Sequence, residues 1–214
     1  RQAMGEKGYS LANYYSSLGY AKRGMNQPEE AENAYRKSLE YYLGPPVFRQ
    51  IDKSYYNYSV TLFYNKKFEE GLKYLNKAYE VRKEAHGEDS HLLLNIYEEY
   101  GEAYKEAEKW TEAKRYFEKC IKIEEKNPQK LATRMAAFKS SIGEIERNLK
   151  HPRTALTYQE EALAELGFDL SASSMDELDI IGTGRPDLVA GIFYEIALLL
   201  EELAKLDGEQ ELKQ

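Results

Sequence analysis

Residues 97–120 read YEEYGEAYKEAEKWTEAKRYFEKC. Gly101 and Ala113 are small residues twelve positions apart. Tyr97, Tyr100 and Tyr104 surround the first at helical spacing, and Phe117 and Cys120 follow the second. A small residue on each of two facing helices lets the backbones approach, and the large residues fill the space around them. The stretch therefore predicts two antiparallel helices joined by a short turn. The same pair recurs as Gly19/Ala31, Ser59/Gly71 and Gly143/Ala155, with starts that step by 40, 42 and 42 residues. One helical hairpin is repeated four times, and such arrays usually hold other proteins.

The flanking residues keep the register. Hairpin one has Tyr15-x2-Leu18-Gly19, then Ala31-x3-Tyr35-x2-Ser38. Hairpin two has Tyr55-x2-Tyr58-Ser59, then Gly71-x3-Leu75-x2-Ala78. Hairpin four has Lys139-x2-Ile142-Gly143, then Ala155-x3-Gln159-x2-Ala162, with polar Lys139 and Gln159 where the others are apolar. The pattern resembles the tetratricopeptide repeat, W-x2-L-G-x2-Y…A-x3-F…P, over about residues 12–166. The family repeat is 34 residues, so the extra residues here fall between one hairpin and the next. Residues 77–104, KAYEVRKEAHGEDSHLLLNIYEEYGEAY, look like the long repeats of kinesin light chains. The resemblance implies an all-α fold, a right-handed α-solenoid of antiparallel helical hairpins.

Helices are expected near 4–24, 28–43, 47–65, 68–86, 90–108, 112–126, 128–149 and 152–166. Pro28, Pro128 and Pro152 suit first helical turns, Asn127 and Thr111 suit caps, and Gly44-Pro45-Pro46 separates hairpins one and two. Three segments follow: four hairpins over 1–166, an acidic Gly/Ser-containing loop over 167–185, and a segment over 186–214. Pro186-Asp187 opens that last segment with an apolar helix, expected to cap hairpin four as part of a truncated fifth repeat and to end at Gly208. The chain opens on Arg1 and reads as a piece of a longer protein.

Composition narrows the function. Residues 167–214 carry 3 basic and 11 acidic side chains, against 27 and 26 over 1–166. Without a net basic face, nucleic-acid binding is not expected. No apolar run approaches about 18 residues, so no direct membrane insertion is expected. The single cysteine, Cys120, permits no internal disulfide and fits a cytoplasmic setting; it falls on a small-residue packing position. His86, His91 and His151 are too scattered to hold a metal. Gly182-Thr183-Gly184-Arg185 lacks the later Gly and Lys of a phosphate loop. No enzyme activity and no cofactor are expected.

The resemblance implies that the first helix of each hairpin, helix A, lines a concave groove. Mapped residue by residue, hairpin one offers Asn13, Ser16, Tyr20 and Arg23, and hairpin two offers Lys53, Tyr56, Val60, Phe63 and Tyr64. Hairpin three offers Asn95, Glu98, Glu102 and Lys105, and hairpin four offers Ser140, Glu144, Arg147 and Asn148. Tyr56, Phe63 and Tyr64 are expected to be exposed aromatic anchors. Asn13, Tyr20, Arg23, Lys53, Asn95, Glu98 and Lys105 complete the candidate partner-binding set. Chaperone-tail binders of the family grip a terminal carboxylate with a Lys/Asn, Asn, Lys/Arg set. This chain has Ser16 and Tyr20, Asn57, then Asn95 and Glu99 at those places, so that ligand is not carried over. The expected function is a non-catalytic adaptor that binds a peptide or helix of a partner protein in the groove. The alternatives are a structural segment of a larger assembly, stacking through its ends, and a fragment of a peptide-sensing regulator.

Overall fold

A computed structural model describes residues 2–43, 51–88, 90–168 and 184–211. Among these the regular structure is helical: α1 (Gln2–Gly24), α2 (Pro28–Leu43), α3 (Ile51–Tyr64), α4 (Phe68–His86), α5 (Leu94–Glu106), α6 (Trp110–Glu125), α7 (Ala132–Asn148), α8 (Pro152–Glu165) and α9 (Pro186–Glu211). A 3-10 turn, His91–Leu93, leads into α5, with the Ser90 side chain accepting from the Leu92 N–H. The chain divides into two compact bodies, Arg1–Ala103 and Tyr104–Gln214, and the division falls inside α5.

Each hairpin turn is built the same way. Asn26, Lys66, Glu108 and Lys150 take positive φ, between 55° and 67°. Just after each, Gln27, Lys67, Lys109 and His151 donate their N–H back to the carbonyls of Lys22, Leu62, Tyr104 and Glu146, at 2.9, 2.8, 2.9 and 2.9 Å. This is the left-handed helix ending that satisfies the last carbonyls of helix A and reverses the chain within three residues. The four positions step by 40, 42 and 42, like the small-residue ladder. None is glycine, so composition gives no sign of them.

Ladder residues sit where helices touch. A Cβ on Gly19 would meet the Tyr35 ring at 2.9 Å, and one on Gly143 would meet Gln159 Nε2 at 2.7 Å and the Ala155 carbonyl oxygen at 3.2 Å. Ala31, Ser59, Ala113 and Ala155 are fully buried, and Cys120 is buried with them. In hairpin one, Ser38 Oγ donates to the Ala12 carbonyl at 2.8 Å and Tyr42 donates to Asn13 Oδ1 at 2.6 Å, which fixes the antiparallel register. The polar residues of hairpin four find partners for their nitrogens, while Gln159 Oε1 has none among the described residues. Lys139 pairs with Glu161 and Glu165 at 3.2 and 3.0 Å, and buried Gln159 lies on Gly143 and donates to the Ser140 carbonyl.

The second body buries two carboxylates almost completely, Glu124 and Glu146. Glu124 accepts from the Leu131 N–H at 2.9 Å and from Arg134 at 3.3 Å. Glu146 meets Lys114 at 2.6 Å and His151 Nδ1 at 2.8 Å. Burial alone would raise both carboxyl pKa values, but these donors and charges outweigh it and hold them below the ordinary range. α9 lays Val189, Ile192 and Ile196 against Ala136 of α7 and Ala162 and Leu163 of α8. Its acids reach Arg147 of α7: Glu195 at 3.2 Å and Glu202 at 3.5 Å.

Several local expectations are corrected. α7 starts at Ala132 rather than at Pro128, because Asn127 folds 127–130 into a turn and Glu124 captures the Leu131 N–H. Thr111 lies inside α6, which starts one residue earlier at Trp110 with no side-chain cap. α9 runs through Gly208 to Glu211, since one exposed helical glycine costs only about 1 kcal/mol. The Gly44-Pro45-Pro46 break and residues 169–183 of the acidic loop lie outside the described residues.

Candidate functional site

The candidate residues of the first body sit on α1, α3 and α5. Tyr20 is 67% exposed, and the Arg23 guanidinium lies 5.7 Å from its ring centroid. Arg23 is itself half-buried, and its Nη1 is shut off from solvent with no hydrogen-bond acceptor among the described residues. Tyr56 on α3 is half-buried, with the Arg82 guanidinium 5.6 Å from its ring centroid. Arg82 is held in turn by Asp52 at 2.8 Å and the Leu92 carbonyl at 3.1 Å. Burial is the main reason the Tyr56 phenol is pushed up to about 12. Glu99 and Glu98 add to the rise, while Arg82 and Arg23 oppose it. Tyr56 thus feels positive charge from α1 and negative charge from α5. The first body gathers an aromatic surface, a cation and carboxylates on one set of helices.

Lys53 and Asn95 are exposed on the same helices, and Glu98 is half-buried. Tyr64 is 56% exposed, but its hydroxyl donates to Asn26 in the neighbouring turn. The Asn13 side chain accepts from Tyr42 and so belongs to the hairpin clasp.

Phe63 is the correction. It is 6% exposed, and a Cβ on Gly71 would lie 2.5 Å from its ring. Hairpin two inverts the usual arrangement: helix B supplies the glycine and helix A the ring. Phe63 is thus buried against helix B, the second helix of the hairpin, and does not offer its ring to the groove.

Lys105 lies in the second body, where it meets Glu144 of α7 at 3.0 Å. Arg147 of α7 meets Glu195 and Glu202 of α9. The groove positions of this body therefore brace one helix A against the next. Arg82 and Asp52, which frame Tyr56, had no signal in the repeat, because the pattern says nothing about charges that meet between α3 and α4. Among the described residues, no group of three His, Cys, Asp or Glu side chains is placed to hold a metal ion, and no helix is long and apolar enough to cross a membrane.

Comparison with known proteins agrees with this architecture. The tetratricopeptide repeat profile matches residues 12–43 and, in a second form, residues 50–126. Among solved structures, aspartyl phosphate phosphatase F from Bacillus subtilis is similar at 16% identity with a TM-score of 0.75; the match covers 98% of this chain and 50% of that one. BtubC from P. vanneervenii is 16% identical with a TM-score of 0.67, over 78% of this chain and 69% of its own. TPR-like repeats of a Podosopora anserina protein described as a kinesin light chain are 12% identical with a TM-score of 0.65, over 95% and 97%. At these identities the likeness is one of fold. No curated protein matches the chain in sequence. The repeated ladder, the four equivalent turns and the matched profiles lead to one assignment: this chain belongs to the tetratricopeptide repeat family.

Proposed function

We propose that this protein is a non-catalytic adaptor that holds a peptide or helix of a partner protein against the A-helix face of its first body. The observation that carries the reading is the grouping of Tyr20, Arg23 and Tyr56 beside Glu98 and Glu99. Aromatic rings set on packed helices give large contact area at little entropic cost, and flanking charges of both signs give orientation. Lys53, Asn95 and exposed Tyr64 widen the surface. The buried Cys120 and the charge balance suit a cytoplasmic adaptor.

Photo-crosslinking tests the location. A crosslinker at Tyr20 or Tyr56 is expected to capture a partner that one at exposed Glu80 on α4 does not, and Tyr56→Ala is expected to weaken binding by about 2 kcal/mol. Equal capture from all three positions, or unchanged affinity in Tyr56→Ala, would sink the reading. The non-catalytic part is checked by incubation with an aspartyl phosphate protein, where phosphate release above background would overturn it.

A second reading, end-to-end stacking within a larger assembly, is favoured by α9, whose Tyr194 and Leu200 are more than half exposed. Concentration-dependent sedimentation that Tyr194→Glu abolishes would support it over the first.

A further inference from the structure

One edge of helix A is buried in every hairpin but the first. Five residues before and two after the ladder position stand Ser54 and Thr61 in α3, Ile96 and Ala103 in α5, and Phe138 and Ile145 in α7, all of them buried. This edge packs on helix B of the preceding hairpin: the Phe138 and Phe117 rings of α7 and α6 lie 6.3 Å apart between centroids, and α3 packs along α2. In α1 the same two positions hold Tyr14 and Ala21, both exposed. Tyr14 is 60% exposed, and Met25, a turn past Ala21, is 67% exposed. The first body thus ends in an apolar edge that no described helix covers.

α9 is open on the other side. Val189, Ile192, Ile196 and Leu199 are buried, in the same steps of three, four and three as Met135, Phe138, Ile142 and Ile145 of α7. That alignment sets Ala197 at the place of Gly143 and Leu200 at the place of Glu146. Both α7 residues are buried, and Gly143 lies under Gln159 of α8. Ala197 is exposed instead, as are Ala190 and Ala204 seven residues to either side, and Leu200 is more than half exposed. α9 therefore has the register of a helix A, with no helix B laid over it among the described residues. The two helices also differ in charge. α9 carries seven acidic residues and one basic, Lys205, whereas α1 carries Lys7, Lys22 and Arg23 against Glu6.

We propose that α9 of one copy packs against α1 of a second copy, so that each open edge covers the other. This rests on the stacking reading and names its occupant and the face it uses. Tyr14 and Met25 supply bulk, and Ala190, Ala197 and Ala204 supply the floor. Small against large is the pairing that Gly19 and Tyr35 use inside hairpin one. Opposite net charges favour α1 as the occupant, whereas two copies of α9 face to face would bring like charges together. The contact joins unlike surfaces, so copies add in line or close into a ring. It uses neither Tyr20 nor Tyr56, and the adaptor reading stands or falls without it.

Sedimentation velocity on the whole chain tests this with two variants at exposed positions, Tyr14→Glu and Leu200→Glu. The wild-type chain is expected to associate as its concentration rises, and added salt to weaken the association. Each variant alone should associate at least about tenfold more weakly, because a charge is set in the apolar contact. Mixed in equal amounts, the two variants should form a dimer that grows no further. The intact α9 edge of Tyr14→Glu then meets the intact α1 edge of Leu200→Glu. If Leu200→Glu fails to fold, Ala197→Glu at the neighbouring exposed position takes its place. A wild-type chain that stays monomeric overturns the proposal together with the stacking reading, and a mixture that stays monomeric overturns the proposal. Association that Leu200→Glu abolishes and Tyr14→Glu leaves intact, or that salt strengthens, marks a symmetric α9 pair. Stacking through α9 then stands and the α1 contact falls.

Discussion

Phe63 and Gly71 can be tested as a pair. A methyl group on Gly71 would lie 2.5, 2.6 and 3.0 Å from three atoms of the Phe63 ring, closer than carbon atoms approach one another in folded proteins. The ring is 6% exposed and bounded by Phe68 at 6.0 Å between centroids, so it has little room to retreat. Gly71→Ala gains up to about 1 kcal/mol in helix propensity, set against about 1–3 kcal/mol of overpacking. A net loss of about 1–2 kcal/mol is expected. Phe63→Ala leaves a cavity and should cost about 3–4 kcal/mol. The double variant Gly71→Ala/Phe63→Leu should be more stable than the sum of its singles by about 1 kcal/mol, because the smaller side chain makes room for the methyl group. Urea unfolding gives the totals, and amide exchange in α3 and α4 locates them, since a repeat array need not unfold as one unit. A Gly71→Ala chain as stable as the wild type would refute the close contact. A Phe63→Ala chain that keeps its stability but loses its partner would return Phe63 to the groove.

Two further outcomes follow from the second body. Lys150 holds a left-handed conformation that costs a non-glycine residue about 1–2 kcal/mol, so Lys150→Gly should stabilise α7 and α8 by about 0.5 kcal/mol after the added freedom of the unfolded chain is subtracted. Asn26→Gly should gain less, because asparagine tolerates this conformation and Asn26 accepts from Tyr64; equal gains in thermal unfolding would contradict the argument. Glu124, Glu146 and Glu165 are held below their ordinary value of 4.5 in the fold, although burial pushes each of them up. The folded state therefore binds fewer protons than the unfolded one. The stability these groups contribute is complete above about pH 4.5 and is lost as pH falls through the lowered folded values. On acidification, exchange protection should fail in α6–α8 before α2–α4, and Glu146→Gln should flatten that dependence; simultaneous loss would contradict it.

Much of this was legible because the repeat writes helix packing as small residues at fixed spacing. Gly19, Ala31, Gly143 and Ala155 needed only the twelve-residue interval. Phe63 was misplaced because the groove mapping took every hairpin as alike, while Ser59 and Gly71 exchange the bulky partner between the helices. Pro128 misled for a different reason. A proline suits a helix start, but the buried Glu124 carboxylate, with the Leu131 N–H, Asn127 and Arg134 around it, sets where α7 begins. Such a network between distant positions has no period to read. The left-handed residues Lys66, Glu108 and Lys150 were invisible because nothing in their chemistry favours that backbone. The buried Nη1 of Arg23, unpaired among the described residues, could be seen only once the packing around it was known.

The uniform hairpin turns also set where this chain can change length. Each turn fixes the rotational phase of helix B about its own axis. One residue added between Gly24 and Pro28 would break the register of the bond from the Gln27 N–H to the Lys22 carbonyl, and with it the turn that sets Ala31 and Tyr35 against Gly19. Between α6 and α7, where 126–131 form the connection, an added residue changes no such phase within either hairpin. Insertions and grafted sequences should therefore be tolerated between hairpins and rejected within them, and the two residues by which the first step falls short of the later two are a natural instance of that freedom.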